Sequence, residues 1–260
     1  RNERRLNKNI PLQQNPTPSL PINMKGYSGT GEMKDDITQA VGLTSRWLST
    51  AVADIEALVP ADVLASCHGI CFLNFIKAGF IFAGTLGTGF VLTKLDKGLP
   101  TERWSAPSAI TSGGVGWGAL IGAQKVHNVV ILNTEDAKNT FTSEGKVKFG
   151  GDMAIAAGPV GRRAEASIEA GNRGVVPTYA YSYAKGMYAG IGLDGAVVGA
   201  NPAMNKTFYG HDIAAGQLLD GVEDEAWREH PELKQLYDNL DKASKKAPVS
   251  AAGAAAVSGA

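Results

Sequence analysis

The sequence predicts an α+β protein: a glycine-rich, mostly antiparallel sheet, strongly curved or barrel-like, with helices at its N- and C-terminal ends. Three observations predict it. Apolar residues recur with period two from Ile70 to Ala200, the signature of half-buried strands. Of the 32 glycines, 26 fall between Gly69 and Gly221, where missing side chains let backbones approach closely. Helical spacing is concentrated on either side of that stretch, an order that disfavours βαβ winding.

Residues 1–33 are rich in Pro, Asn, Gln and Gly and open with Arg1, Arg4, Arg5 and Lys8 against Glu3, the composition of an extended basic arm ordered on a partner. Asp35 or Asp36 can cap a helix carrying Ile37, Val41, Leu48, Val52, Ile55 and Val59 at spacings of mostly three and four, ended by Pro60. A short second helix follows from Ala61 to about His68. Strands are then expected over 70–76, 80–84, 89–95, 108–111, 115–124, 128–132, 146–149, 153–157, 164–170, 175–184, 187–193 and 196–200. Within 114–121, Gly114, Gly116 and Gly118 alternate with Val115, Trp117 and Ala119. Asn133 or Thr134 can cap a helix over 135–141, and Asn201 one that begins at Pro202. Past Gly221 the composition turns charged. Residues 222–246 read as a charged helix starting at Pro231, and 247–260 as an Ala/Gly-rich tail.

Composition excludes several functions. The 25 basic and 25 acidic residues cancel, so no global field draws the chain to nucleic acid or to anionic membranes, and an electrostatic partner must be met by a local patch. Cys67 and Cys71 form neither a disulfide framework nor a zinc quartet; buried, reduced thiols and an intracellular location fit them. The chain begins at Arg1, which leaves a processed leader or a partial sequence open. The run Ile70–Thr93 has the length of a membrane span but contains Asn74, Lys77 and several glycines, and reads as core. The glycines of 84–89 and 116–122 lack the following helix that a dinucleotide loop requires. His68, His127, His211 and His230 are scattered singly, without a nucleophile or acid at a recognisable spacing. No metal, cofactor or catalysis is expected.

Lys77 and the pair Arg162–Arg163 stand in apolar, glycine-dense surroundings. There a charge pairs with a carboxylate (Asp152, Glu165 and Asp194 are available), snorkels to water, or binds an anion. Trp104 and Pro107 fix geometry inside Trp104-Ser-Ala-Pro-Ser-Ala-Ile110, and Gly158, Pro159 and Gly161 do so in Ala157-Gly-Pro-Val-Gly-Arg162.

Those two segments, with Lys77-Ala-Gly-Phe80, Gly87-Thr-Gly89, Val130-Ile-Leu-Asn133, Gly150-Gly-Asp152, Tyr181-Ser-Tyr183, Lys185-Gly186 and Phe208-Tyr-Gly210, run in order from about Val59 to Gly221. Together with the preceding helix, 34–221 resembles the SYLF domain of the Ysc84-like lipid-binding proteins. The resemblance implies a non-enzymatic module for anionic phospholipid, in eukaryotic members often a phosphoinositide, at a membrane surface. The actin-binding segment of some fungal members is not recognisable in this sequence. Candidate headgroup contacts are Lys77, Arg162, Arg163 and Lys185, plus Arg1, Arg4, Arg5 and Lys8 of the arm. The helix after Lys34 occupies the place of the family's membrane-binding amphipathic segment, yet carries Asp35, Asp36, Asp54 and Glu56 against Lys34 and Arg46, a poor face for anionic lipid. The alternative is a scaffold subunit held in a larger assembly by its arm and its C-terminal helix.

Overall fold

The computed structural model describes residues 32–48, 59–79, 82–117, 122–143, 146–149, 153–158, 178–183, 196–222 and 230–246. In chain order these form α1 (Met33–Leu48), α2 (Ala61–Ser66), β1 (Gly69–Gly79), β2 (Phe82–Leu95), β3 (Arg103–Trp104), β4 (Ser108–Trp117), β5 (Gly122–Leu132), α3 (Glu135–Thr142), β6 (Lys146–Lys148), β7 (Ile155–Ala157), β8 (Thr178–Tyr183), β9 (Val197–Ala200), α4 (Pro202–Tyr209), α5 (Ala215–Leu219) and α6 (Pro231–Ser244). The strands make one sheet in the order β6-β9-β4-β2-β1-β5-β8-β7, with β3 paired to β2. Every pairing is antiparallel except β7 with β8. The two outermost strands, β6 and β7, are neighbours in the chain and meet through a bridge between Phe149 and Met153. The sheet is therefore curled, its two edges joined through one short stretch of chain. The predicted α+β class and curvature hold.

Each face of the sheet carries its own core. Ile70, Phe72, Phe90, Leu92, Ala109, Val129 and Ile131 pack beneath Ile37, Ala40 and Trp47 of α1, Val63 and Leu64 of α2, and Leu233, Leu236 and Leu240 of α6. The opposite face gathers Leu73, Phe75, Val91, Ile110 and Val130 with Ala137 and Phe141 of α3, Val147 and Phe149. Period two in the strands and three-to-four spacing in the helices produce this division.

Several local expectations need correction. The strands expected over 80–84 and 89–95 are one strand, because Gly87 is a rung rather than a break. It pairs with Phe75 and Ser112, and a Cβ there would lie 2.7 Å from the Phe75 ring. The strand expected over 115–124 is divided between β4, which ends at Trp117, and β5, which begins at Gly122; the apolar run offered no polar turn signal to mark the reversal. Asp35 and Asp36 lie inside the first turn of α1 instead of capping it. The short strand β3 and helix α5 were not expected. Strands expected over 164–170 and 187–193, and the helix beyond Leu48, lie outside the described residues. Elsewhere the caps are as read: Thr134 accepts from the Ala137 amide, and Asn201 from that of Met204.

Candidate functional site

The motif around Trp104 is a clasp between sheet and helices. Trp104 is buried; its Nε1–H donates to Asp241 Oδ1 of α6 at 3.2 Å, and the Lys94 ammonium stands 5.4 Å from its ring centroid. The Tyr237 hydroxyl donates to the Ser105 carbonyl at 2.9 Å, and that of Tyr209 to the Pro107 carbonyl at 2.6 Å. Buried Asn205 of α4 accepts from the Ala109 amide at 2.7 Å. The small residues of the motif leave backbone groups open to these side chains, so a segment conspicuous in sequence acts as structural glue. Gly158 serves a similar end: a Cβ there would fall 2.1 Å from the ring carbon of Tyr181 that bears its hydroxyl.

Charged groups at the same end of the sheet pair locally. Lys94 is buried and held by Glu102 at 2.9 Å and by the Ala65 carbonyl at 2.7 Å. Burial opposes ionisation of Glu102, but the Gly98 amide and the Lys94 ammonium bring its carboxyl below the ordinary value. His68 meets Glu135 at 2.8 Å. Burial opposes ionisation of Glu135 too, while His68 and Lys138 lower it on balance. Sequence spacing hid this pair, since 67 positions separate its members. Both cysteines are free and buried; burial pushes the Cys67 thiol up to about 11 and that of Cys71 higher still. Among the described residues no group of three His, Cys, Asp or Glu could hold a metal ion. No described helix is long and apolar enough to cross a membrane.

The helix-covered face changes character midway along its strands. Tyr183, His127, Asn74, Thr88 and Thr111 pair in register from β8 through β5, β1 and β2 to β4. This row is mostly hydrogen-bonding residues. Asn74 Nδ2–H donates to the buried Asp36 Oδ1 of α1 at 2.6 Å, its Oδ1 lies 2.5 Å from His127 Nδ1, and Asn201 Nδ2–H donates to Thr111 Oγ1 at 2.8 Å. The row thus fixes the start of α1 over the middle of the sheet. On one side lies the core under the helices. One row beyond on the other, Leu86 is 68% exposed. Asn74, polar inside the run 70–76, is a sequence signal of this boundary as well as an argument against a membrane span.

Of the predicted headgroup contacts, Lys77 alone lies among the described residues. Lys77 sits in β1 opposite Thr85 and Gln124, whereas Arg1, Arg4, Arg5, Lys8, Arg162, Arg163 and Lys185 lie outside the described residues, as do Pro159 and Gly161. The apolar side of α1 is occupied: Ile37, Ala40 and Trp47 are in the core.

Comparison with known proteins adds the following. The model of the Ysc84 family, described as "Las17-binding protein actin regulator", matches residues 113–243. An SH3 domain-containing protein of Schizosaccharomyces pombe, PJ696.02, is 41% identical over 166 residues, 64% of this chain and 38% of that protein. LAS seventeen-binding protein 3 of Saccharomyces cerevisiae is 38% identical over 166 residues, covering 64% and 35%. SH3 domain-containing YSC84-like protein 1 of Xenopus laevis is 38% identical over 192 residues, covering 74% and 54%. The chain therefore spans about a third to a half of these relatives' lengths. No solved structure matches it.

Proposed function

The chain belongs to the Ysc84 (SYLF) family, and from that premise we propose that it is a non-enzymatic binding module that engages anionic phospholipid, a phosphoinositide in the finer form of this reading, at a membrane surface. The observation that carries the reading is a one-sided charge distribution. No Asp or Glu occurs from Gly69 to Leu95 or from Arg103 to Thr134, the stretches that supply the four central strands. Beyond the polar row, the formal charges on those strands are Lys77 and Lys125. Described strand ends that carry lysine and no acid, on a chain of zero net charge, are attracted to an anionic surface only when turned toward it.

Flotation with vesicles across a headgroup panel, at low and high salt, tests this. Binding should require anionic lipid and weaken as salt rises. Each basic residue near such a surface is worth about 1 kcal/mol, so Arg162→Ala combined with Arg163→Ala should weaken binding roughly tenfold or more if that pair takes part. If the double variant floats like wild type while deletion of residues 1–33 abolishes flotation, the arm is the binding element and the arginine pair is structural.

A second reading is favoured by the family description, "Las17-binding protein actin regulator", and by the name LAS seventeen-binding protein 3: a scaffold subunit held in a larger assembly by a protein partner. Size exclusion of native extract separates the two. A scaffold subunit elutes in one large stable complex, whereas a peripheral lipid binder does not.

A further inference from the structure

Among the described residues, helices cover this face of the sheet at one end only. Its core rows, Ile70–Leu92 and Phe72–Phe90, lie beneath α1, α2 and α6, and the cover reaches the row Asn74–Thr88, where Asp36 is tied down. The next row is Lys125–Ile76–Leu86–Gly113, followed by Ala123–Ala78–Gly84–Val115 and finally Phe82–Trp117. Leu86, directly beyond the polar row, is 68% exposed, and its β4 partner Gly113 has no side chain to shield it. One exposed leucine is ordinary. Here it opens a series of rows made of apolar residues, glycine and one lysine, where a solvated face would alternate to polar residues.

We propose that this end of the sheet enters an anionic lipid bilayer, with Leu86 reaching the boundary between headgroups and acyl chains and the lysine positions 77 and 125 supplying charge that complements lipid phosphate. The proposal rests on the phospholipid reading above and adds the element that inserts and its orientation. Three physical facts converge. By register and sequence these rows are mostly apolar and include an aromatic position, Trp117, of the type enriched at membrane interfaces. The formal charges on the described strands beyond the polar row, at positions 77 and 125, are positive, and lysine combines an apolar stem with a head that stays in water. The described part of the other amphipathic candidate, α1, has Ile37, Ala40 and Trp47 committed to the core. The strands would then approach the membrane end-on, with α1 and α6 held away from it by the length of sheet they cover.

The test uses the full chain and phosphatidylcholine vesicles with or without phosphatidylserine. Leu86→Cys carries an environment-sensitive fluorophore, and Gln235→Cys on the exposed side of α6 carries the control; Cys67 and Cys71 are fully buried and stay unlabelled in the folded protein. With phosphatidylserine vesicles the label at position 86 should shift to the blue and be quenched by lipids bearing a nitroxide on the acyl chain. The control should do neither. Leu86→Asp should reduce flotation about tenfold or more without changing the melting temperature, because the side chain it replaces is in solvent. If wild type floats, yet the label at 86 neither shifts nor is quenched and Leu86→Asp floats equally well, this end is not the inserting element and the phospholipid reading stands. If wild type floats on no vesicle, both fall. An unquenched label together with a longer size-exclusion retention for Leu86→Asp would assign the face to a second copy of the chain and overturn the proposal.

Discussion

Trp104→Ala is the sharpest test of the view that the motif at 104–110 holds the fold together and does not touch ligand. The indole is 4% exposed, and removing a buried Trp or Phe side chain costs about 3–5 kcal/mol. Part of that loss is specific. The Nε1–H to Asp241 bond, at 3.2 Å, is at the long end for a charge-assisted contact, and the Lys94 ammonium at 5.4 Å contributes about 0.5–2 kcal/mol. Lys94 keeps Glu102 and the Ala65 carbonyl, so the substitution strands no buried charge and the figure need not be raised. At roughly 2–4 °C per kcal/mol for a chain of this size, the melting temperature should fall by about 6–20 °C. Trp104→Phe keeps most of the apolar volume and loses the N–H, so it should cost about 1–2 kcal/mol. Thermal unfolding followed by circular dichroism reads both variants. A melting temperature for Trp104→Ala within about 2 °C of wild type would refute the clasp and return the motif to ligand contact.

Other perturbations read different parts of the fold. Gly158→Ala drives a methyl into the Tyr181 ring and should cost about 1–3 kcal/mol by overpacking; an unchanged urea midpoint would contradict that packing. Asn205→Ala leaves the buried Ala109 amide without its acceptor and should cost about 1–3 kcal/mol, read by the same titration. Folded protein should show no thiol reactive toward Ellman's reagent at mildly alkaline pH, and two after denaturation, since burial pushes the Cys67 thiol up to about 11 and Cys71 higher. Glu102 and Glu135 ionise in the fold below their ordinary 4.5. Their stabilisation is therefore fully present above that value and is lost as pH falls through the depressed folded values. Glu102→Gln should flatten the acid limb of the stability curve, and an acid limb parallel to wild type would show that the carboxyl is not coupled to folding.

The sequence by itself determined the periodicities, and with them the elements. Alternation from Ile70 onward makes strands because their two faces must meet two different cores, and residues such as Thr134, Asn201 and Pro202 set helix starts through hydrogen bonds that span only a few positions. The family was legible for the same reason, as a run of short words in order. Pairing decided the rest. Nothing local says that Gly87 continues a strand, since that depends on the Phe75 ring filling the space of its missing side chain. His68 finds Glu135, and Asp36 finds Asn74 and through it His127, only when strands distant in sequence are laid side by side. Leu86 and Leu92 look alike in sequence, each an apolar residue on the same side of one strand. The fold buries Leu92 completely and leaves Leu86 in solvent, because α1 is anchored at the polar row and the cover it forms with α2 and α6 packs on one side of it. Where a covering helix stops is a property of its long-range anchor, and that was settled only by the tertiary structure.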